Sequence, residues 1–184
     1  MIHRLNKAMS EIEVLYEGTY LGLYKNGHWE YALRPNASAC VTILPITDTG
    51  EVVLVEQFRI PTQSRVIEIP AGLVGDEPEY TGETLAECAA RELLEETGYC
   101  AGKITELIAS PTSAGMTPEI THMFAATDLN KVHAGGGVEG ENITVHVVPS
   151  SELDHFLAQK HSEGYDIDFK IHASLYKAQE LGLL

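Results

Sequence analysis

Cysteine is scarce in this chain of 184 residues: Cys40, Cys88 and Cys100 are an odd number, and no two have C-x-x-C spacing. That argues against a disulfide framework and leads us to expect a reducing compartment. Basic residues are also few. Twelve Lys and Arg stand against 27 Asp and Glu, a formal net charge of −15. Such a balance argues against a nucleic-acid backbone or an anionic membrane as the main partner. It does not forbid an anionic small substrate if metal ions supply local positive charge. No apolar run approaches a membrane span, and the stretch MIHRLNKAMSE is too polar for a signal peptide, so the cytoplasm is the expected location. None of the eight histidines shows H-x3-H spacing, and no D-x-D-x-D-G loop occurs. A zinc site and an EF-hand are therefore not expected.

What remains is a globular composition, 44% hydrophobic and 21% charged, of a size for one domain. Residues 11–34 read as short strands around the hairpin signal Asn26-Gly27. ACVTILPI and EVVLVEQF are β-rich runs split by a turn at Thr47–Gly50, and RVIEIPAGL is a further short strand. Residues 73–82 form an acidic loop. KITELIA, ITHMFAATDL and NITVHVVP are later strands, and SSELDHFLAQKH and DIDFKIHASLYKAQEL read as two closing helices. HAGGGVEGEN, before the last strand, is too glycine-rich to be rigid by itself. The mixture predicts a mixed sheet with helices on its faces.

One helix is unusual. Thr84 and Glu87 form a capping box and Gly98 a stop, which brackets AARELLEETGY. At about 100° per residue, Leu85, Ala86, Ala89, Ala90, Leu93 and Leu94 make one broad apolar face. Glu87, Arg91 and Glu95 lie opposite. Glu92 and Glu96, four apart, project in the sector of Leu85 and Ala89. Composition alone favours a solvated helix with paired charges. Two carboxylates at the edge of a buried stripe are costly unless a cation neutralises them, and hard divalent cations want such oxygens.

The run from Glu83 to Tyr99, E-x7-REL-x-EE-x-GY, with Ala71-Gly72 before it, resembles the signature of the Nudix hydrolases. One departure is the spacing. Ten residues separate Gly72 from Glu83, more than the family usually has, so 73–82 reads as a lengthened loop. EQFR (56–59), EIPAGL (68–73), SAGMTPE (113–119) and EGENITVHVV (139–148) resemble the ADP-ribose and nucleoside diphosphate sugar pyrophosphatase branch.

The resemblance implies a Nudix α/β/α sandwich with a mixed sheet and an N-terminal β arm. Residues 1–38 would be the arm, expected to form a homodimer, and 39–184 the hydrolase domain. It implies Mg²⁺ or Mn²⁺ at Glu92, Glu96, Glu141 and the carbonyl of Ala71. Glu95 would help to hold a water, Arg91 would orient the glutamates, and Glu139 would be the base, with Glu141 the other candidate. Arg59, Glu68 and Trp29 would meet substrate, Trp29 by stacking on the base. By themselves an acidic turn and a packed hairpin tryptophan are equally good readings of Glu139 and Trp29, and an ordinary strand-end charge is the better reading of Arg59. His146, alternating with Val145 and Val147, reads as a packing or surface residue, and Cys88 as core. Asp168-Phe169-Lys170 matches a pattern of some nucleotide-sugar hydrolases, whereas Ala114 stands where ADP-ribose enzymes often have proline. The implied activity is cleavage of nucleoside diphosphate sugars, ADP-ribose among them, to a nucleoside monophosphate and a sugar phosphate. A nucleoside triphosphate hydrolase and a non-catalytic nucleotide-sugar sensor are the alternatives.

Overall fold

The computed structural model describes residues 12–37, 39–138 and 140–184. Three short strands come first: β1 (Ile12–Glu17), β2 (Gly22–Asn26) and β3 (Trp29–Leu33), an antiparallel meander of its own. Asn26 pairs with Trp29, so the tight turn is Gly27-His28 and Asn26 is the last residue of its strand. The turn forms one position later than the Asn-Gly signal suggests.

The rest is a sandwich. The strands are β4 (Cys40–Pro45), β5 (Glu51–Arg59), β6 (Ser64–Glu68), β7 (Ala71–Leu73), β8 (Tyr99–Pro111), β9 (Ile120–Lys131), β10 (Thr144–Pro149) and β11 (Asp166–Ile167). They form two sheets, β7-β4-β9-β8 and β10-β5-β6-β11, each with one parallel pair among antiparallel ones. RVIEIPAGL is therefore two strands rather than one. β6 ends at Glu68, and beyond Pro70 the chain joins the other sheet as β7. Proline cannot donate to a ladder, so a sheet change is a natural place for it.

Among the described residues three α-helices cover the faces: α1 (Leu85–Thr97), α2 (Leu153–Ser162) and α3 (Phe169–Glu180). Strand β4 shows how the layers arise. Val41 and Ile43 point into a core with Cys88, Ala89, Leu93, Phe124 and Ala126, beneath α1. Leu44 belongs to the other core, with Leu54, Ile67, Leu157 and Ile171, beneath α2 and α3. A strand buried on both faces reads as a continuous apolar run, as ACVTILPI does. Each fully buried Leu or Ile contributes roughly 1.5–3 kcal/mol against exposure.

The last predicted helix is shorter than its sequence suggests. Asp166 and Ile167 pair with β6, and Asp168 is the N-cap of α3, its carboxylate accepting from Lys170 N–H at 3.0 Å. Lys170 also pairs with Asp168 through its side chain. The Asp-x-Lys pattern is a helix cap here. Among the described residues no helix is long and apolar enough to cross a membrane.

Candidate functional site

Helix α1 is held at both ends. Thr84 Oγ1 accepts from Glu87 N–H at 3.3 Å, Glu87 accepts from Thr84 N–H at 2.7 Å, and Gly98 N–H bonds to the Leu94 carbonyl. A cap of this kind is worth about 1 kcal/mol. The buried stripe runs through Cys88, Ala89, Leu93, Glu96 and Thr97, whereas Ala86, expected on the apolar face, is exposed. Glu96 thus lies inside the packed face, 4% exposed.

Its surroundings are poor in positive charge. Among the described residues its carboxylate accepts one hydrogen bond, from Ala71 N–H at 3.2 Å. Burial pushes the Glu96 carboxyl up to about 9, helped by the charges of Glu92 and Glu141; Ala71 and Arg59 oppose this. Burial also pushes Glu92 up to about 7, against the pull of Arg91. Glu92 is packed on Gly72: a Cβ at position 72 would lie 1.9 Å from Glu92 Oε1. The signature glycine is needed because backbone and carboxylate touch there. Two neighbouring carboxylates that resist ionisation form a site short of one cation.

Arg91 does not supply that cation alone, because its donors are spent. Nε and Nη2 grip Glu83 at 3.2 and 3.0 Å, Nη1 reaches Glu92 at 2.9 Å and Glu95 at 3.2 Å, and Nη2 also meets Cys88 Sγ at 3.4 Å. Burial works against the charge of Glu83, but Arg91 outweighs it and holds that carboxyl below its usual range. Arg91 is a bracket for three carboxylates, as the motif implied. The two-pronged partner Glu83 was visible only as a matched letter of the signature, with no role.

Arg59 ends β5, and its Nε donates to the buried Glu68 at 2.8 Å. Its Nη nitrogens have no hydrogen-bond partner among the described residues, and its charge is felt by Glu96. Arg59, Glu68, Ala71, Glu92, Glu95, Glu96 and Glu141 thus belong to one region. Trp29 does not join it within the chain. It lines a cavity of about 370 Å³ with Tyr24, Tyr31 and the loop Ala114–Pro118, and that lining includes none of the carboxylates.

The glycine-rich segment is more constrained than its composition suggests. Gly136 N–H donates to the Glu96 carbonyl at 2.8 Å and Gly137 N–H to the Glu95 carbonyl at 3.1 Å. The last turn of a helix leaves such carbonyls free, and this loop occupies them. Gly135, at φ 78°, passes so close that a Cβ would meet the Glu96 carbonyl oxygen at 2.6 Å. Beyond this anchor, Glu141 accepts from Val138 N–H at 3.0 Å. Glu139, the expected base, lies outside the described residues. His146 is a packing residue, against Phe156, and pairs with Glu56 at 2.9 Å. Cys88 is buried, and all three cysteines are free.

Among the described residues no three His, Cys, Asp or Glu side chains already form a cage that could hold a metal. The fit rests on chemistry instead. Glu92, partly buried and paired with Arg91, and Glu96, buried with no cationic hydrogen-bond partner among the described residues, are adjacent hard oxygen donors, which suits a divalent cation with part of its shell left to water and phosphate.

Comparison with known proteins agrees with this geometry. The NUDIX domain profile matches residues 37–167. The chain is 40% identical to an ADP-ribose pyrophosphatase of Bacillus subtilis (strain 168), over 64% of each chain. It is 40% identical to a GDP-mannose pyrophosphatase of Pectobacterium atrosepticum, over 56% of this chain and 54% of the relative. The matches thus span between about half and just under two thirds of these curated relatives. A solved structure of an ADP compounds hydrolase superposes with a TM-score of 0.73 at 20% identity, covering 94% of this chain and 91% of that one, a likeness of fold. With the profile spanning most of the chain and the signature helix built as described, the protein belongs to the Nudix family.

Proposed function

We propose that this protein is a metal-dependent pyrophosphatase that hydrolyses nucleoside diphosphate sugars, ADP-ribose among them, to a nucleoside monophosphate and a sugar phosphate. The observation that carries the reading is the adjacent pair of Glu92, partly buried, and Glu96, buried, both reluctant to ionise beside a fully engaged Arg91. The kinship with an ADP-ribose pyrophosphatase and a GDP-mannose pyrophosphatase supports the substrate class.

Glu92, Glu96 and Glu141 would hold Mg²⁺ or Mn²⁺ with the carbonyl of Ala71. When bound, the cation offsets the phosphate charge and makes a water more acidic. The chain's own groups do the rest. Arg91 keeps Glu83, Glu92 and Glu95 in register, so their order does not have to be created during the reaction. Arg59, steadied by Glu68 through Nε, offers its Nη edge to a phosphate. Glu95 helps to orient the attacking water. Glu139 takes its proton, with Glu141 as the alternative base.

The N-terminal arm, residues 1–38, would pair two copies of the 39–184 domain. Tyr16, Tyr20, Leu21 and Trp29 on that arm are exposed apolar residues, which favours burial in a dimer. Trp29 would then stack on a nucleobase. Three free cysteines support a cytoplasmic location.

The test is a panel of ADP-ribose, ADP-glucose, UDP-glucose, GDP-mannose and ATP with Mg²⁺ or Mn²⁺, products resolved by chromatography. We expect nucleoside monophosphate plus sugar phosphate, and no turnover in excess chelator. Full activity in chelator would remove the metal mechanism. A preference for ATP would move the protein to the triphosphate hydrolases, and binding without turnover would make it a sensor.

A further inference from the structure

The lengthened loop before α1 reaches back over the helix. It forms a 3-10 turn, Pro78–Tyr80, tied by Tyr80 N–H to the Glu77 carbonyl at 3.1 Å and by Thr81 Oγ1–H to the Pro78 carbonyl at 2.9 Å. Glu83 N–H then bonds to the Tyr80 carbonyl at 3.1 Å, and Glu83 Oε1 accepts from Gly75 N–H at 3.2 Å. The result places the Tyr80 ring on the guanidinium of Arg91, with Cζ 4.0 Å from the ring centroid.

We propose that Tyr80 is a positioning residue for the carboxylate site: its ring fixes the plane of the Arg91 guanidinium, and through it Glu83, Glu92 and Glu95. This rests on the metal-dependent reading above. The N–H donors of Arg91 all lie in the guanidinium plane, and their bonds to Glu83, Glu92 and Glu95 resist sliding within it. They resist tilting less, because the faces of the group have no donors. A ring on one face opposes that tilt, and cation–π attraction at this distance is favourable. Glu83 links the two devices. It grips one edge of the Arg91 guanidinium with both carboxylate oxygens and closes the base of the loop that carries Tyr80. Tilting Arg91 would release Glu92, its partner at 2.9 Å, from its place against Gly72.

The test compares Tyr80→Ala, Tyr80→Leu and Tyr80→Phe. Mn²⁺ is titrated without substrate, by the paramagnetic resonance of the free ion, and kcat and KM are measured on the best nucleotide sugar. Tyr80→Phe keeps the ring and should stay within about twofold of wild type in every readout. Tyr80→Ala should weaken Mn²⁺ binding about fivefold and lower kcat about tenfold, with substrate KM changed less than about twofold. Tyr80→Leu, which keeps bulk without the ring's charge distribution, should fall between them and carries the test if the alanine variant does not fold. Wild-type Mn²⁺ binding and kcat in the folded non-aromatic variants would overturn the proposal. So would a Phe variant as impaired as Ala, which would transfer the effect to the hydroxyl, or a rise in KM alone, which would make Tyr80 a substrate contact. If the wild type cleaves no nucleotide sugar, the functional reading fails, and the Mn²⁺ titration alone decides the role of Tyr80.

Discussion

Glu56 and Glu96 are both nearly buried, 6% and 4% exposed, yet their surroundings push them in opposite directions. Glu56, on β5, collects Arg65 at 2.6 Å, His146 at 2.9 Å and Lys160 at 3.3 Å. Burial opposes its charge, but the hydrogen bonds from His146 and Lys160 outweigh that and hold its carboxyl below the usual range. Glu96, on α1, has one backbone N–H and two nearby carboxylates, and its carboxyl is pushed up to about 9. The first is a completed network that fastens β5, β6, β10 and α2 together. The second is incomplete within the chain. Glu56 is matched by three basic side chains, whereas Glu96 has no hydrogen bond from another side chain among the described residues, and a buried carboxylate perturbed in this way is a feature of functional sites.

The sharpest way to break this contrast is Glu96→Gln. It should cost about a hundredfold or more in kcat, because the charge that a cation needs is gone. Thermal unfolding of the metal-free variant should be no earlier than that of wild type, since the lost charge was unfavourable there. A near-normal rate would mean that the helix carboxylates are merely structural.

Glu56→Gln should behave in the reverse manner. It should destabilise the fold by about 2–3 kcal/mol in urea unfolding, because Arg65, Lys160 and His146 lose their common charged partner. Mn²⁺ affinity should not change. The pH dependence has a definite sign. A carboxyl whose pKa is depressed on folding binds fewer protons folded than unfolded, so its contribution is complete above the ordinary value of 4.5 and disappears as pH falls through the lower folded value. The difference between wild type and Glu56→Gln should therefore be largest near neutral pH and shrink on acidification below about pH 4. A gap that is constant with pH would show that packing, not charge, is lost.

Arg91→Lys tests the bracket more gently. Lysine keeps the charge but cannot grip Glu83 with two prongs while reaching Glu92 and Glu95. We expect kcat down about tenfold, weaker Mn²⁺ binding and little change in substrate KM. A sharp rise in KM with unchanged metal affinity would instead make Arg91 a substrate contact.

The smallest effect expected is at the glycine anchor. Gly135→Ala forces a Cβ against the Glu96 carbonyl oxygen, so the loop must lift from the end of α1. Stability should fall by about 1 kcal/mol, and activity by a few fold, as Glu141 loses its fixed distance from Glu96. Unchanged activity would mean that the loop works without its anchor.

Much was legible in the chain itself. Helix α1, its capping box and its glycine stop follow from local preference, and the strands follow from apolar runs bounded by turn residues. The side of α1 that Glu92 and Glu96 share, and the reach of Arg91 to Glu95, were legible because their spacing is a property of the helix alone. Local rules also set the limits. They placed the hairpin turn one position early, joined two strands across Pro70, and extended the last helix through Asp166 and Ile167. In the last two cases a pairing partner distant in sequence decided, β4 for β7 and β6 for β11.

The site depends on such distant pairings even more. The sequence alone determines that two carboxylates share one side of a helix, since 3.6 residues make a turn wherever the helix lies. Whether that side is buried, and against what, is set by contacts between residues far apart in the chain. Ala71 donates to Glu96 across 25 positions, Gly72 is packed on Glu92, the triglycine segment occupies the carbonyls of α1, and Tyr80 covers Arg91. Apart from Ala71-Gly72, which belongs to the signature, none of these has a periodicity or a motif, because each depends on where a loop returns. Tertiary structure also decides the electrostatics: Glu56 and Glu96 are the same residue type, and only the groups that the fold brings around each hold one carboxyl below its usual range and push the other well above it.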